Sequence, residues 1–194
     1  MKNILTLSFL VFAFLTATYA HNTEPTHGGE LDLEASTVTW TGKKVTGSHT
    51  GTVAIKSGSL DFKNHQLVGG SFEIDMTTIV CTDLSANVAQ KLVGHLSSGD
   101  FFGTADHPTA SLVIKEISKS TKGDAYAINA DLTIKGITKP VGFTTEVSEK
   151  GATAVITIDR TAYDIKYGSG SFFENLGDKA IDNEFQLSVN LVMK

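Results

Sequence analysis

Along most of the chain, apolar and polar side chains alternate with a period of two, the spacing of a β-strand buried on one face. Phe72, Ile74 and Met76 alternate with Glu73, Asp75 and Thr77. Tyr126, Ile128, Ala130, Leu132 and Ile134 alternate with Ala127, Asn129, Asp131, Thr133 and Lys135. The last segment is the cleanest, with Phe185, Leu187, Val189, Leu191 and Met193 set against Gln186, Ser188, Asn190, Val192 and Lys194. Shorter alternations at 38–40, 53–55, 60–62, 110–114, 141–147 and 152–158 bring the expectation to roughly eight to ten strands. Turn chemistry separates them at Ser57-Gly58-Ser59, Lys63-Asn64-His65, Lys122-Gly123-Asp124, Lys135-Gly136-Ile137 and Glu149-Lys150-Gly151. Links this short imply antiparallel neighbours.

One stretch departs from the pleat. Leu84, Val88, Leu92 and Leu96 recur every fourth residue, which predicts an amphipathic helix over 84–98 with Asp83 or Ser85 as N-cap and Gly99 as the stop. Strands do not alternate with helices, so a doubly wound sheet is excluded. So many antiparallel strands must hide their edges, and closure is the surest way. The expected fold class is all-β, an eight-stranded antiparallel barrel with one short helix; a sandwich is the alternative.

A barrel of eight strands is either filled by its own side chains or holds one small ligand. The dry faces mix large residues (Phe72, Met76, Phe143, Phe185) with small ones (Ala54, Ala110, Ala130, Ala152, Ala154) and carry no run of charges. Such an interior suits a hydrocarbon: at roughly 0.8 kcal/mol per buried CH2, a dozen enclosed carbons give about 10 kcal/mol before ordering costs. Periodicity does not distinguish a tunnel from a packed core, so both readings stand.

The N-terminus reads as an export signal over 1–20: Met1-Lys2-Asn3, an apolar run from Ile4 to Leu15 interrupted by Thr6 and Ser8, then Thr18-Tyr19-Ala20. A flexible polar lead over 21–29, containing His21 and His27, and one domain over 30–194 would follow. The setting is then periplasmic or secreted, and the mature protein is expected to be soluble because no later stretch approaches the roughly 20 apolar residues a membrane helix needs. The chain carries 16 basic and 21 acidic residues, and Arg160 is its one arginine, which makes nucleic acid a poor partner. A single cysteine, Cys81, permits neither an intrachain disulfide nor a multi-cysteine zinc site; it reads as a small buried hydrophobe or, less often, a reactive thiol.

Catalytic signatures are scarce. Gly47-Ser48-His49-Thr50-Gly51 and Gly168-Ser169-Gly170-Ser171 lack the spacing of a nucleophile elbow and read as turns. Gly42-Lys43-Lys44 lacks a phosphate cradle. His49, His65, His95 and His107 form no metal-binding pair in sequence, and no cofactor or metal is expected. Arg160 has two readings: a structural pair with Asp159 or another carboxylate, or an anchor for a polar ligand head. Phe101-Phe102 and Phe172-Phe173, paired in loop-like segments, read either as packing or as a hydrophobic lip around a ligand mouth.

Several of these residues together resemble the YceI-like family. Val38-Thr39-Trp40-Thr41-Gly42-Lys43, Gly47 to Gly51 and Gly70-Ser71-Phe72-Glu73-Ile74-Asp75-Met76 resemble its opening. Leu92 to Phe102 with Asp106-His107-Pro108-Thr109-Ala110 resembles its central helix and loop. Asp131 to Val141 resembles its hairpin, and Ile158-Asp159-Arg160 with Tyr163 its penultimate segment. The resemblance implies a lipocalin-like barrel that binds a polyisoprenoid lipid, such as an isoprenoid quinone or polyprenyl chain, in an apolar cavity. It also implies a bacterial periplasmic or secreted setting and, often, a homodimer. At matching positions the cavity would draw on Phe72, Ile74, Met76, Leu92, Leu96, Phe101, Phe102, Leu132, Ile134 and Phe143. His49, His95, Asp100 and Arg160 match motif positions without an agreed catalytic role. Two other functions compete: an enzyme acting on a prenyl lipid or quinone through His95 and Asp100, and a structural or adhesive barrel with a packed interior.

Overall fold

The computed structural model describes residues 27–119, 125–148 and 150–194. The expected signal and most of the lead, with the Lys122-Gly123-Asp124 turn, lie outside them. The described strands are β1 (His27–Glu30), β2 (Thr37–Lys44), β3 (Gly47–Lys63), β4 (Gln66–Cys81), β5 (Thr109–Lys119), β6 (Ala125–Ile134), β7 (Ile137–Ser148), β8 (Gly151–Asp159) and β9 (Ile181–Val192). One helix, α1 (Ala86–Ser97), lies between β4 and β5.

Consecutive strands from β2 to β9 pair antiparallel, and β2 pairs back onto β9, so eight strands close into a barrel. β1 is a ninth, short strand. It pairs with β3 through His27↔Phe62 to Glu30↔Ser59, and a bridge from Leu31 to Met193 then ties the chain to the exit of β9. The lead expected to be flexible through Gly29 is thus strand from His27 onward. Its local pattern, His-Gly-Gly-Glu, carries no alternation; pairing with a pre-existing edge of β3 supplies the order.

The 53–55 and 60–62 segments merge into the 17-residue β3, and Ser57-Gly58-Ser59 lies inside that strand instead of turning it. Three register shifts between β3 and β4 bend this long hairpin around the barrel, so the small residues serve curvature. Residues 48–51 are likewise strand, not turn. Gly51 is held by contact: a Cβ there would lie 1.8 Å from the Val80 carbonyl oxygen and 2.6 Å from the Trp40 indole. That indole crosses over Gly51 and donates from Nε1 to Val80 O at 3.1 Å. Gly51→Ala is therefore expected to cost about 2–3 kcal/mol by overpacking, lowering the melting temperature in calorimetry by roughly 5–10 °C. Two of the expected turns, at 63–65 and 135–137, are two-residue loops whose central residues both adopt positive φ: Asn64 and His65 at 51° and 60°, Lys135 and Gly136 at 52° and 72°.

The helix is shorter than 84–98. It begins after Ser85, whose side chain makes no capping bond, and ends at Ser98, whose N–H and hydroxyl both donate to His95 O. Val88 is exposed, so only its last turns, through Leu92 and Leu96, bury apolar surface.

Candidate functional site

Burial along the strands locates the site. On β6 every inward residue from Tyr126 to Ile134 is buried. On β9 the inward residues Phe185, Leu187 and Val189 follow the same pattern yet are only half-buried, and so are Phe72, Ile74 and Phe143 across the barrel. Their free surface faces a void. The barrel encloses a cavity of about 190 Å³ with almost wholly apolar walls. Its lining runs along β9 from Ile181 to Leu191, about 33 Å of strand, or about 25 Å along the axis at a tilt of about 40°. The space is a channel.

One end is shut by buried Leu31, Leu60, Leu67 and Leu191. The other end is aromatic. Tyr167 and His95 stack edge-on at 4.4 Å between centroids, His95 and Phe101 at 5.6 Å, Phe101 and Phe102 at 5.0 Å, and Phe102 and Phe185 at 6.2 Å. Beside this row the β2–β9 register slips: Gly42 pairs with Phe185 but Lys44 with Ile181, leaving Lys43 opposite Asp182, Asn183 and Glu184. Lys43, Asp182 and Glu184 are exposed and also line the cavity, so the channel meets solvent at this bulge.

Phe72, Ile74, Met76, Leu96, Phe101, Phe102, Leu132, Ile134 and Phe143 all stand on the cavity wall. Leu92 does not; it is half-buried and packs against the cluster under α1. The ten expected cavity residues leave out the β2, β3, β8 and β9 walls, including Trp40, Val53, Ala154, Ile156 and Leu187. The alternating pattern marks most of these, because every inward residue of a closed barrel faces the same space.

Arg160 begins a 3-10 turn (Arg160–Tyr163) just after β8 and is 1% exposed. The expected carboxylate partner is replaced by main chain. Its Nε donates to Asp182 O at 2.9 Å, Nη1 to Ile165 O at 2.8 Å and Tyr167 O at 2.9 Å, and Nη2 to Ile181 O at 3.0 Å. β8 pairs with β9 only as far as Asp159↔Glu184, so the Ile181 and Asp182 carbonyls lie past the ladder, and the next residue after Asp159 supplies their donors. Burial pulls the guanidinium pKa down, against the field of Asp159 and Asp182. The Phe101 ring lies 5.6 Å from the guanidinium carbon, and Arg160 thereby braces the aromatic end.

The remaining polar candidates lie off the channel. Asp100 is exposed in the loop after α1. His95 is absent from the wall, and its Nε2 is buried without a hydrogen-bond partner. Cys81 is half-buried at the end of β4, not in the core: its thiol donates to Asp83 Oδ1 at 3.1 Å, and Asp83 Oδ2 pairs with His49 Nδ1 at 3.2 Å. Burial and the Asp83 carboxylate push the thiol pKa up, the opposite of an activated nucleophile. Cys81 is thus expected to alkylate with iodoacetamide at pH 8 several-fold more slowly than an unhindered peptide thiol, and Asp83→Asn to speed it. Equal rates in peptide and protein would contradict this. Among the described residues, His, Cys, Asp and Glu form no group of three suited to a metal ion.

Comparison with known proteins agrees with this architecture. The barrel superposes on Burkholderia cenocepacia BcnA with a TM-score of 0.70 at 22% identity, covering 85% of this chain and 100% of that one. It superposes on a polyisoprenoid binding domain from Saccharophagus degradans, implicated in plant cell wall breakdown, with a TM-score of 0.57 at 14% identity over 85% and 97% of the two chains. Protein YceI of Escherichia coli O157:H7 is 41% identical over 64 residues, which is 33% of this chain and 32% of that protein. The matched stretch thus spans about a third of such curated relatives. The YceI-like domain family matches residues 30–193, which take in all eight strands of the barrel, and the chain belongs to that family.

Proposed function

We propose that this protein binds, carries or sequesters a polyisoprenoid lipid, an isoprenoid quinone or polyprenyl chain, in the barrel channel, without turning it over. The observation that carries the reading is the long apolar void. Water held in a cavity needs two to four polar partners, and these walls offer almost none. An empty space of about 190 Å³ forgoes on the order of 4 kcal/mol of packing. A linear hydrocarbon recovers that packing and adds its own transfer from water. The similar barrel from Saccharophagus degradans is a polyisoprenoid binding domain, which supports the prenyl class in particular. Phe72, Ile74, Met76, Leu96, Phe101, Phe102, Leu132, Ile134 and Phe143 would contact the chain, with Leu92 supporting them from outside. A periplasmic or secreted setting, after removal of residues 1–20, fits carriage of such a lipid between membranes. The enzymatic alternative has no observation in its favour, since His95 and Asp100 are not on the channel wall.

The test is solvent extraction of natively purified protein followed by mass spectrometry. A prenyl lipid near one per barrel is expected. Protein that comes out empty and also takes up no added prenylquinone would refute the proposal.

A further inference from the structure

The bulge where the channel meets solvent is tied to an exposed aromatic patch. Asn183, in the middle of the bulge, accepts from the Ser169 hydroxyl at 2.6 Å and donates from Nδ2 to Ser171 Oγ at 2.8 Å. Ser169 is fully buried, and its carbonyl accepts from the N–H groups of both Phe172 and Phe173, at 3.1 and 3.0 Å. This tight turn projects the two rings outward, each 50% exposed. Single exposed apolar side chains are ordinary. Adjacent phenylalanines held out by a buried, fully bonded serine beside a channel opening are a constructed surface.

Neighbouring elements extend it. Tyr167 is exposed in the same connection, and Val45 is exposed on the β2–β3 turn, which is joined to the rim by Val45 N donating to Ala180 O at 3.2 Å. Charged residues of both signs flank the apolar patch: Lys166 lies over the Phe172 ring at 5.3 Å and pairs with Asp164 Oδ1 at 2.6 Å, Lys43 and Lys44 stand at the bulge with exposed Asp182 and Glu184, and Lys179 follows Asp178.

We propose that this rim seats the barrel on a phospholipid bilayer, with Phe172 and Phe173 inserted at headgroup depth and the β2–β9 bulge turned toward the lipid. The prenyl chain then passes between bilayer and channel without crossing water. The inference deepens the cargo reading and rests on it. A bilayer is the occupant because it is where a prenyl lipid resides. It also fits the chemistry of the rim, where rings enter the acyl boundary while lysine stems lie along it and their ammonium groups reach lipid phosphates. Asp164, Glu174, Asp178, Asp182 and Glu184 offset these lysines, so the aromatic rings carry most of the contact.

Flotation with vesicles of phosphatidylcholine and phosphatidylglycerol tests this. The wild-type protein should float, and the double variant Phe172→Ser/Phe173→Ser should bind at least about tenfold less, about 1.4 kcal/mol, with unchanged melting temperature and unchanged extracted lipid. Neither ring lines the channel, so cargo content is an independent readout. The proposal is overturned if wild-type protein stays unbound, or if the double variant floats equally well. It is also overturned if the substitutions only split a dimer in sedimentation analysis, which would assign the patch to a second copy of the chain. Protein that holds a prenyl lipid but never floats removes the docking and keeps the cargo. Protein that floats through these rings yet never takes up a prenyl chain removes the cargo reading and, with it, the transfer step.

Discussion

Replacing Ala154 with tryptophan is expected to empty the barrel while leaving it folded. Ala154 sits on β8 between Thr145 of β7 and Val189 of β9, and its methyl group faces the channel. An indole projecting from that point occupies a large part of a space of about 190 Å³ and blocks a chain from running its length. In a close-packed core such an insertion costs about 1–3 kcal/mol; here it enters a void whose emptiness already costs on the order of 4 kcal/mol. Stability should therefore hold or rise. Lipid recovered by extraction should fall at least about tenfold, a loss of about 1.4 kcal/mol or more in binding. Added prenylquinone, which should raise the wild-type melting temperature by mass action, should not move that of Ala154→Trp. A variant that folds and keeps its full lipid load would place the ligand elsewhere.

Arg160→Met should have the largest effect on stability. The methionine keeps much of the side-chain volume but removes four hydrogen bonds to the carbonyls of Ile165, Tyr167, Ile181 and Asp182. Each buried acceptor left without a partner costs about 1–3 kcal/mol, tempered where water reaches it. A total near about 4 kcal/mol is expected, in line with breaking other buried charge networks, and the melting temperature should drop by roughly 10 °C. Arg160→Lys should fall between, because an ammonium cannot span acceptors that a planar guanidinium reaches together. The local consequence reaches the site: with Arg160 gone, the 3-10 turn, the Tyr167 segment and the start of β9 lose their common tie, and the aromatic end loosens. An unfolding free energy from denaturant titration within about 1 kcal/mol of wild type for Arg160→Met would contradict this role.

The barrel was legible because its strands bury one face each, and a period of two survives in any strand so arranged. β6 and β9 show this most plainly; both line the channel, and the inward β9 residues Phe185, Leu187 and Val189 keep more free surface there than Ile128, Leu132 and Ile134 of β6. β1 was not legible, since His27–Glu30 owes its conformation to β3 and to the C-terminus, where the Lys194 ammonium also pairs with Glu30. Ser57-Gly58-Ser59 reads as a turn for a related reason: small residues permit both a reversal and a bulge, and only the partner strand selects between them. The Leu84–Leu96 repeat indicated a helix but not its extent, because Val88 faces solvent and only the last turns meet the barrel. At the site, motif positions named part of the wall, while closure of β2 on β9 recruited the rest. Arg160's partners are main-chain carbonyls from two separate segments, 165–167 and 181–182, which no side-chain pattern reveals.

The most direct measurement is a crystal structure of the protein loaded with a prenylquinone. One extended chain is expected along the axis, bounded by Phe72, Phe143, Leu187 and Ala154, with its tail toward Leu60 and Leu67 and its head near the β2–β9 bulge. Side chains collapsed into the channel, with the lipid lying on the outer surface or absent under saturating conditions, would contradict it.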